Sequence, residues 1–158
     1  MSEMFTEETL LRFIQDELRL LNQNAFDDWI DLFTDDGLYC MPLDESQADV
    51  STYDMIMYDN KALMNIRKEN FNHPASPSMK YPMRSMRMVS GCRVIEVDAV
   101  SCKTETPFMA SIFYQEMHWY AGNYYHEFTL IDGVLKIKRK QVNLLNMGAP
   151  LSAIMTYL

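Results

Sequence analysis

Five aspartates lie between Phe26 and Tyr39, in the stretch FDDWIDLFTDDGLY. Carboxylates at this density could bind a metal ion or act as a general acid and base. A calcium loop, however, places oxygen ligands at alternate positions and a glycine at the sixth, and this stretch lacks that spacing. Asp27 and Asp28 instead suit the first turn of a helix, where the helix dipole favours negative charge. We therefore predict mainly structural aspartates, with 35–37 (Asp-Asp-Gly) ending that helix.

The histidines and cysteines do not form a recognisable ligand motif. A non-haem iron site needs two histidines and a carboxylate, and no helical His-x-x-x-His pair is present. A Rieske cluster needs two cysteines and two histidines, and no cysteine has a histidine within three residues. The odd number and wide spacing of the cysteines favour reduced thiols in a cytoplasmic protein. We predict no metal or cofactor in this chain. The possible ligands considered for this prediction are its histidines and cysteines: His73, His118, His126, Cys40, Cys92 and Cys102.

One acid-base arrangement remains as an alternative. If the chain folds around a polar cavity, Tyr39, His126 and an acid of the second helix could act there as general acid and base. A single histidine on a strand is more often a hydrogen-bonded structural residue, so this enzyme hypothesis is the weaker one.

The elements that would position these residues begin with helices. Apolar residues recur at helical spacing between Thr6 and about Asn22. Asn24 can cap a second helix with an apolar face over 26–33. A short strand over 38–41 follows, closed by a proline. A third helix begins after Asp59 or Asn60, and we expect Leu63, Met64 and Ile66 to pack.

The second half of the chain is rich in strand signals. Candidate strands cover 86–97, 108–119, 124–131 and 134–145. We expect a turn at 120–123, and Asp132-Gly133 is a strong hairpin signal. Helices followed by a long antiparallel sheet give an α+β class. A strongly curved sheet wrapped around the first helices, like a cone, would bury both.

The last hairpin has two distinct faces by strand alternation. One face carries Leu135, Ile137 and Arg139, and the other carries the lysines. We therefore expect Lys136, Lys138 and Lys140 in solvent. Arg139 would then need a carboxylate partner in the core or at an interface.

Composition excludes several classes of function. The 158 residues carry a net charge of −8, so a nucleic-acid partner is excluded and an anionic membrane surface is disfavoured. We see neither a targeting segment nor a run of about 18 apolar residues that would span a membrane. The length favours a single domain over 1–158.

One segment resembles the start of a known fold, and four others together resemble a known family. The opening FDDWIDLFTDDGLYCMP resembles the start of the nuclear transport factor 2-like, or SnoaL-like, cone fold. The segments MYDNKALMNIRKENF, YPMRSMRMVSGCRV and LIDGVLKIKRKQVNLLN, with the tail APLSAIMTYL, are similar to the β (small) subunit of the aromatic-ring-hydroxylating dioxygenases. The length and loop pattern are most similar to the benzoate/anthranilate-type branch.

The resemblance implies a structural role. In that family the α subunit carries a Rieske iron-sulfur cluster and a mononuclear iron, and three α subunits assemble with three β subunits. This chain would then be the non-catalytic partner of an α subunit in aromatic compound catabolism. We expect 146–158 to form an apolar tail at a subunit interface. The interface candidates are Arg84, Arg87, Arg139, Ile154, Met155, Tyr157 and Leu158.

Two other hypotheses stay open. The same fold hosts free-standing dehydratases and isomerases, and it could also serve as a small-molecule binding module. A filled cone would favour the structural subunit, whereas an open cone lined by an acid and a histidine would favour an enzyme.

Overall fold

The computed structural model describes residues 3–43, 55–72, 83–147, 154 and 156–158. The helices are α1 (Glu7–Asn22), α2 (Phe26–Ile30) and α3 (Lys61–Asn72). The strands are β1 (Phe33–Pro42), β2 (Met55–Asn60), β3 (Arg84–Val89), β4 (Arg93–Val97), β5 (Ser101–Tyr114), β6 (Glu116–Ile131) and β7 (Val134–Leu144).

All of these strands belong to one curved sheet. Its order is β2-β1-β7-β6-β5-β3, with β4 pairing beside β3 on β5. Neighbouring strands are antiparallel except β1 and β7, which are parallel. Register shifts in β1, β4 and β7 bend the sheet, because an extra residue on one strand increases the local twist. The predicted α+β cone, with helices packed in a mainly antiparallel sheet, is confirmed.

Helix α1 fills the interior of the cone, as the periodicity predicts. Thr6 caps it, with its side chain accepting from the Thr9 N–H at 3.2 Å. Its buried face carries Leu10, Ile14, Glu17, Leu18 and Leu21.

The second helix is shorter than its sequence pattern predicts. Helix α2 ends at Ile30, its N-terminal cap position is Ala25, and Asn24 has a φ of 55° outside it. The 35–37 stretch lies inside β1 and does not end a helix. A Cβ on Gly37 would lie 2.8 Å from Phe33 Cβ and 2.9 Å from Thr34 O, so glycine is needed for close approach.

Only one of the three expected side chains of α3 packs in the core. Asn60 does cap this helix, accepting from the Leu63 N–H at 2.9 Å. Met64 is fully buried, but Leu63 and Ile66 are 44% and 58% exposed. The expectation for these two residues was wrong, because the buried face of α3 is narrow.

Strand boundaries in the second half also differ from prediction. The 86–97 run is two strands, and the 108–119 run crosses from β5 to β6 through Gln115, whose φ is 63°. The stretch 120–123 is not a turn but the middle of β6. The turn at Asp132-Gly133, with φ values of 50° and 78°, is confirmed.

A bulge in β7 reverses the predicted faces of the last hairpin. Glu127 pairs with Arg139 and Phe128 pairs with Ile137, so Lys138 has no partner across the ladder. The extra residue turns Lys140 into the core with Ile137. Lys138 is exposed as expected, but Lys140 is fully buried and Arg139 is half-buried on the opposite face.

Candidate functional site

The interior of the cone contains a cluster of buried ionisable side chains. Glu17 from α1 lies against His126 from β6 and Lys140 from β7, and all three side chains are fully buried. Glu17 Oε1 accepts from Lys140 Nζ at 2.7 Å and from Trp29 Nε1 at 3.1 Å. Glu17 Oε2 lies 2.9 Å from His126 Nε2. The two carboxylate oxygens therefore accept from three donors, which come from three different elements.

The charges of this cluster follow from its contacts. Burial would raise the pKa of Glu17, but the charges and hydrogen bonds of Lys140 and His126 outweigh that effect and lower this pKa to about 2. Burial lowers the pKa of His126, against the opposing charge of Glu17. His126 Nδ1 has no partner among the described residues, so a second proton would leave a buried N–H unpaired. The cluster is thus a Glu–Lys ion pair with a neutral histidine donating through Nε2.

Aromatic side chains surround the charged cluster. Lys140 Nζ lies 4.3 Å from the ring centroid of Tyr124, within the range of a cation–π interaction. The Trp29 ring makes edge contacts with Phe33 and Tyr39, at centroid distances of 4.9 and 5.8 Å. These rings leave the cone interior largely apolar around a few fixed polar groups.

Residues 156–158 fill the remaining interior. Thr156, Tyr157 and Leu158 are each 1% exposed or less. The Leu158 N–H donates to Tyr39 Oη at 3.0 Å, and Leu158 O accepts from Lys140 Nζ at 2.9 Å. Tyr157 O accepts from the Arg87 guanidinium. The segment therefore docks within its own chain on three polar side chains of the sheet.

A second ion pair, buried only on its carboxylate side, holds the side chain of Tyr157. Its hydroxyl donates to Asp59 Oδ2 at 2.7 Å. Asp59 also accepts from Arg67 Nε at 2.7 Å and from an Arg67 terminal nitrogen at 3.0 Å. Hydrogen bonding to Asp59 raises the pKa of Arg67, against burial, which lowers it.

Tyr39 and His126, the residues of the acid-base alternative, both line the cone. The acid beside them is Glu17 of α1 and not an acid of the second helix, since Asp27 is 79% exposed and pairs with Lys68 at 2.5 Å. The sequence contained a signal for Glu17, which stands three residues after Ile14 and four before Leu21 on the apolar stripe of α1. Sequence reasoning missed Glu17 and Lys140.

The interface candidates occupy different places. Arg84 is exposed and Arg139 is half-buried, whereas Arg87 is only 5% exposed and binds Asn22 Oδ1 and Ser85 Oγ. Tyr157 and Leu158 lie inside the cone instead of on the surface where a subunit contact was expected. Ile154 is half-buried, and Met155 and His73 lie outside the described residues. A contact of Arg84, Arg139 or Ile154 with another subunit stays a prediction.

The cluster is not arranged to hold a metal ion. Within the described ranges, no three His, Cys, Asp or Glu side chains converge as ligands. Donors already fill both oxygens of Glu17, and His118 lies 3.8 Å from Glu116 on the surface end of β6. In the same part of the chain, no helix has the length and apolar content needed to cross a membrane.

Comparison with known proteins places this cone among related folds. The chain is similar to the β subunit of the benzoate 1,2-dioxygenase from Burkholderia mallei, with 19% identity, a TM-score of 0.72, and 99% of this chain and 100% of that chain covered. It is similar to naphthalene 1,2-dioxygenase at 12% identity and a TM-score of 0.77, covering 100% of this chain and 88% of that chain. A proposed scytalone dehydratase from Novosphingobium aromaticivorans shares 13% identity and a TM-score of 0.66, with 92% of each chain covered. Subunits of oxygenases and dehydratases thus share this fold.

A family model separates these possibilities. No curated protein matches the sequence significantly. The model described as "Ring hydroxylating beta subunit", however, matches residues 16–148. The match includes Glu17, Tyr39, His126 and Lys140, and therefore most of the polar cone interior. Because it extends over most of the sequence, the chain belongs to the ring hydroxylating beta subunit family.

Proposed function

We propose that the chain is the non-catalytic structural small subunit of a Rieske-type aromatic-ring-hydroxylating dioxygenase. The observation that carries this proposal is the filled cone. Tyr157 and Leu158 occupy the space next to Tyr39, and the nearby Glu17 and His126 side chains are 0% exposed. While residues 156–158 occupy the cone, a substrate therefore has no access to Glu17 and His126, the acid and histidine pair that lies inside the cone among the described residues.

The finer features of this role are also part of the proposal. The partner would be a catalytic α subunit that carries the Rieske cluster and the mononuclear iron, in an assembly of three α and three β subunits that oxidises an aromatic compound. Because the described residues offer no converging metal ligands, we assign no chemical step to this chain. A cytoplasmic location agrees with its three free cysteines.

The outer face of the sheet is our candidate contact surface for the α subunit. On β3, β5 and β6 a group of large apolar side chains faces outward around Ser111, all between 42% and 64% exposed: Met86, Met88, Met109, Phe113, Met117 and Trp119. Cross-strand pairing brings them together, since Met88 lies opposite Met109 and Phe113 opposite Met117. Methionine and aromatic side chains are enriched in protein interfaces. We call these six residues the methionine face; Arg84 lies at its edge, opposite Phe113.

A free-standing cone enzyme remains the second candidate. The observation in its favour is the Glu17–His126 contact of 2.9 Å with Tyr39 in the same interior. The complete burial of this pair beneath residues 156–158 argues against it, because a general acid must reach its substrate.

The test is co-purification of the tagged chain from its native host grown on an aromatic carbon source. We expect an iron-containing large subunit at equal stoichiometry, and a native mass that fits three copies of each chain. Recovery of a lone, iron-free oligomer would contradict the proposal. Recovery at a different ratio would contradict the stoichiometry only.

A further inference from the structure

The Tyr157 side chain lies inside the cone and makes the kinds of contact there that a bound aromatic ligand would make. Its ring centroid lies 4.6 Å from that of Trp29 and 4.7 Å from that of Tyr39. Its hydroxyl donates to Asp59, whose carboxylate Arg67 fixes through two hydrogen bonds. The side chain is thus recognised both as an aromatic ring and as a phenol.

The other end of this residue faces buried cations. Arg87 donates to Tyr157 O, and its further partners, Asn22 and Ser85, are neutral. No described carboxylate forms an ion pair with Arg87, and its Nε atom has no partner among the described residues. A buried guanidinium without an anion is costly, and a planar carboxylate is the group it binds best. The position of the Tyr157 carbonyl therefore favours a carboxylate.

The hydrogen bonds around the segment point the same way. Glu17, the buried acid nearby, already accepts from Lys140, His126 and Trp29. Arg87 forms no hydrogen bond to it among the described contacts and donates only to neutral oxygens. A carboxylate ligand would give this buried guanidinium a hydrogen-bonded partner of opposite charge.

We propose that the cone is a binding site for 4-hydroxyphenyl carboxylic acids and that residues 156–158 act as its built-in competitor. The phenol would bind Asp59 between the rings of Trp29 and Tyr39. The carboxylate would bind Arg87 in place of the Tyr157 carbonyl. Release of the segment would open the site, so the segment is an autoinhibitory contact. This site needs no contact with another subunit, and its failure would leave the proposed function intact.

The probe is 3-(4-hydroxyphenyl)propanoate, which reproduces the tyrosine side chain with a carboxylate beyond it. The matched probe is 3-phenylpropanoate, which lacks the hydroxyl. Calorimetry would compare both probes on the full chain and on a chain shortened by residues 156–158. We expect the shortened chain to bind the phenol at least about tenfold tighter than the analogue, because with the analogue Asp59 Oδ2 keeps its Arg67 donor but loses the hydroxyl donor. We also expect the full chain to bind it at least about tenfold more weakly than the shortened chain does.

Point variants identify the contacts. In the shortened chain, Asp59→Asn should remove the preference for the hydroxyl, whereas Asp98→Asn, in the exposed turn before β5, should retain it. A folded shortened chain without that preference, or a full chain that binds equally well, would overturn the proposal.

If the shortened chain does not fold, Tyr157→Gly in the full chain replaces it. This variant removes the ring and retains the backbone contacts of Leu158. The carbonyl of residue 157 then stays on Arg87, so the probes for this variant are 4-methylphenol and toluene, which lack the carboxylate. We expect 4-methylphenol to raise its Tm more than toluene does, and neither probe to raise that of the unaltered chain. Equal effects of the two probes would overturn the proposal.

Discussion

At the scale of single residues, the main feature is a carboxylate that organises the cone. Glu17 accepts from Lys140, His126 and Trp29, which come from β7, β6 and α2. A buried ion pair of this kind adds little net stability over well-packed apolar residues. Removal of only one partner of the pair is costly, because the charge of the other partner then stays buried and unpaired.

Glu17→Gln should therefore destabilise the chain strongly. The uncharged amide leaves Lys140 as a buried cation, and the loss expected for breaking such a pair is about 3–5 kcal/mol. Lys140→Met added to Glu17→Gln should recover part of the loss. Urea unfolding of Glu17→Gln, Lys140→Met and the double variant measures both effects. A double variant as unstable as the sum of the two single variants would show that Glu17 and Lys140 are not coupled.

The same cluster predicts lower stability in mild acid. Burial depresses the pKa of His126 below its ordinary 6.5, so the unfolded chain binds more protons than the folded chain as pH falls through 6.5. Stability should then fall with pH by up to about 1.4 kcal/mol per pH unit for this group. A second decline should follow between about pH 4.5 and 2, because the pKa of Glu17 is lowered from 4.5 to about 2.

Urea unfolding between pH 8 and pH 5 measures the first decline. His118→Gln, outside the cone interior, is the control and should keep it, whereas His126→Gln should reduce it. An unchanged slope in His126→Gln would assign the decline to other groups.

At the scale of elements, the backbones of β6 and β7 approach each other at Gly122 more closely than a residue with a Cβ atom would allow. A Cβ on Gly122 would lie 1.9 Å from Asn143 O and 3.0 Å from Leu144 Cα. Both of these obstacles are backbone atoms, which cannot rotate away. The glycine therefore permits the long, uninterrupted strand β6 that carries Tyr124 and His126 into the cone.

Gly122→Ala should destabilise the sheet by more than about 2 kcal/mol, since the backbone of β7 would have to shift. Gly91→Ala is the matched control, because a Cβ there meets nothing within 4 Å. Thermal unfolding compares the two variants. Equal Tm values would mean that β7 accommodates the extra atom.

At the scale of the whole molecule, the apolar surface is unevenly distributed. The methionine face lies on one side of the sheet, and α3 carries the exposed Leu63 and Ile66 elsewhere. Scattered exposed apolar residues are normal, but a group of large apolar residues that share one face of three strands is typical of a contact surface. The proposed assembly should therefore depend on one of these surfaces and not on the other.

Replacing Met86, Met117 and Trp119 by threonine should weaken association with the α subunit while leaving the isolated chain folded. The side chains are exposed, so their loss creates no cavity, and threonine suits a strand. Replacement of Leu63 and Ile66 by glutamine is the control. The native mass of co-expressed chains and the Tm of the isolated variants are the measurements. Unimpaired assembly of the triple variant would exclude this face.

The sequence by itself determined the fold class, the first helix, the Asp132-Gly133 turn and the family resemblance. The first three depend on periodicity and turn chemistry, which are local properties of the chain. The resemblance depends on the likeness of whole segments and on their order along the chain. Tertiary structure alone decided that Lys140 is buried, that Gly122 lies within a strand, and that Tyr157 enters the cone. Each depends on a partner distant in sequence: the unpaired Lys138 in the β6–β7 ladder, the backbone of Asn143, and the Asp59 carboxylate. A bulge of one residue reverses every side chain after it, so strand alternation could not have placed Lys140 inside the cone.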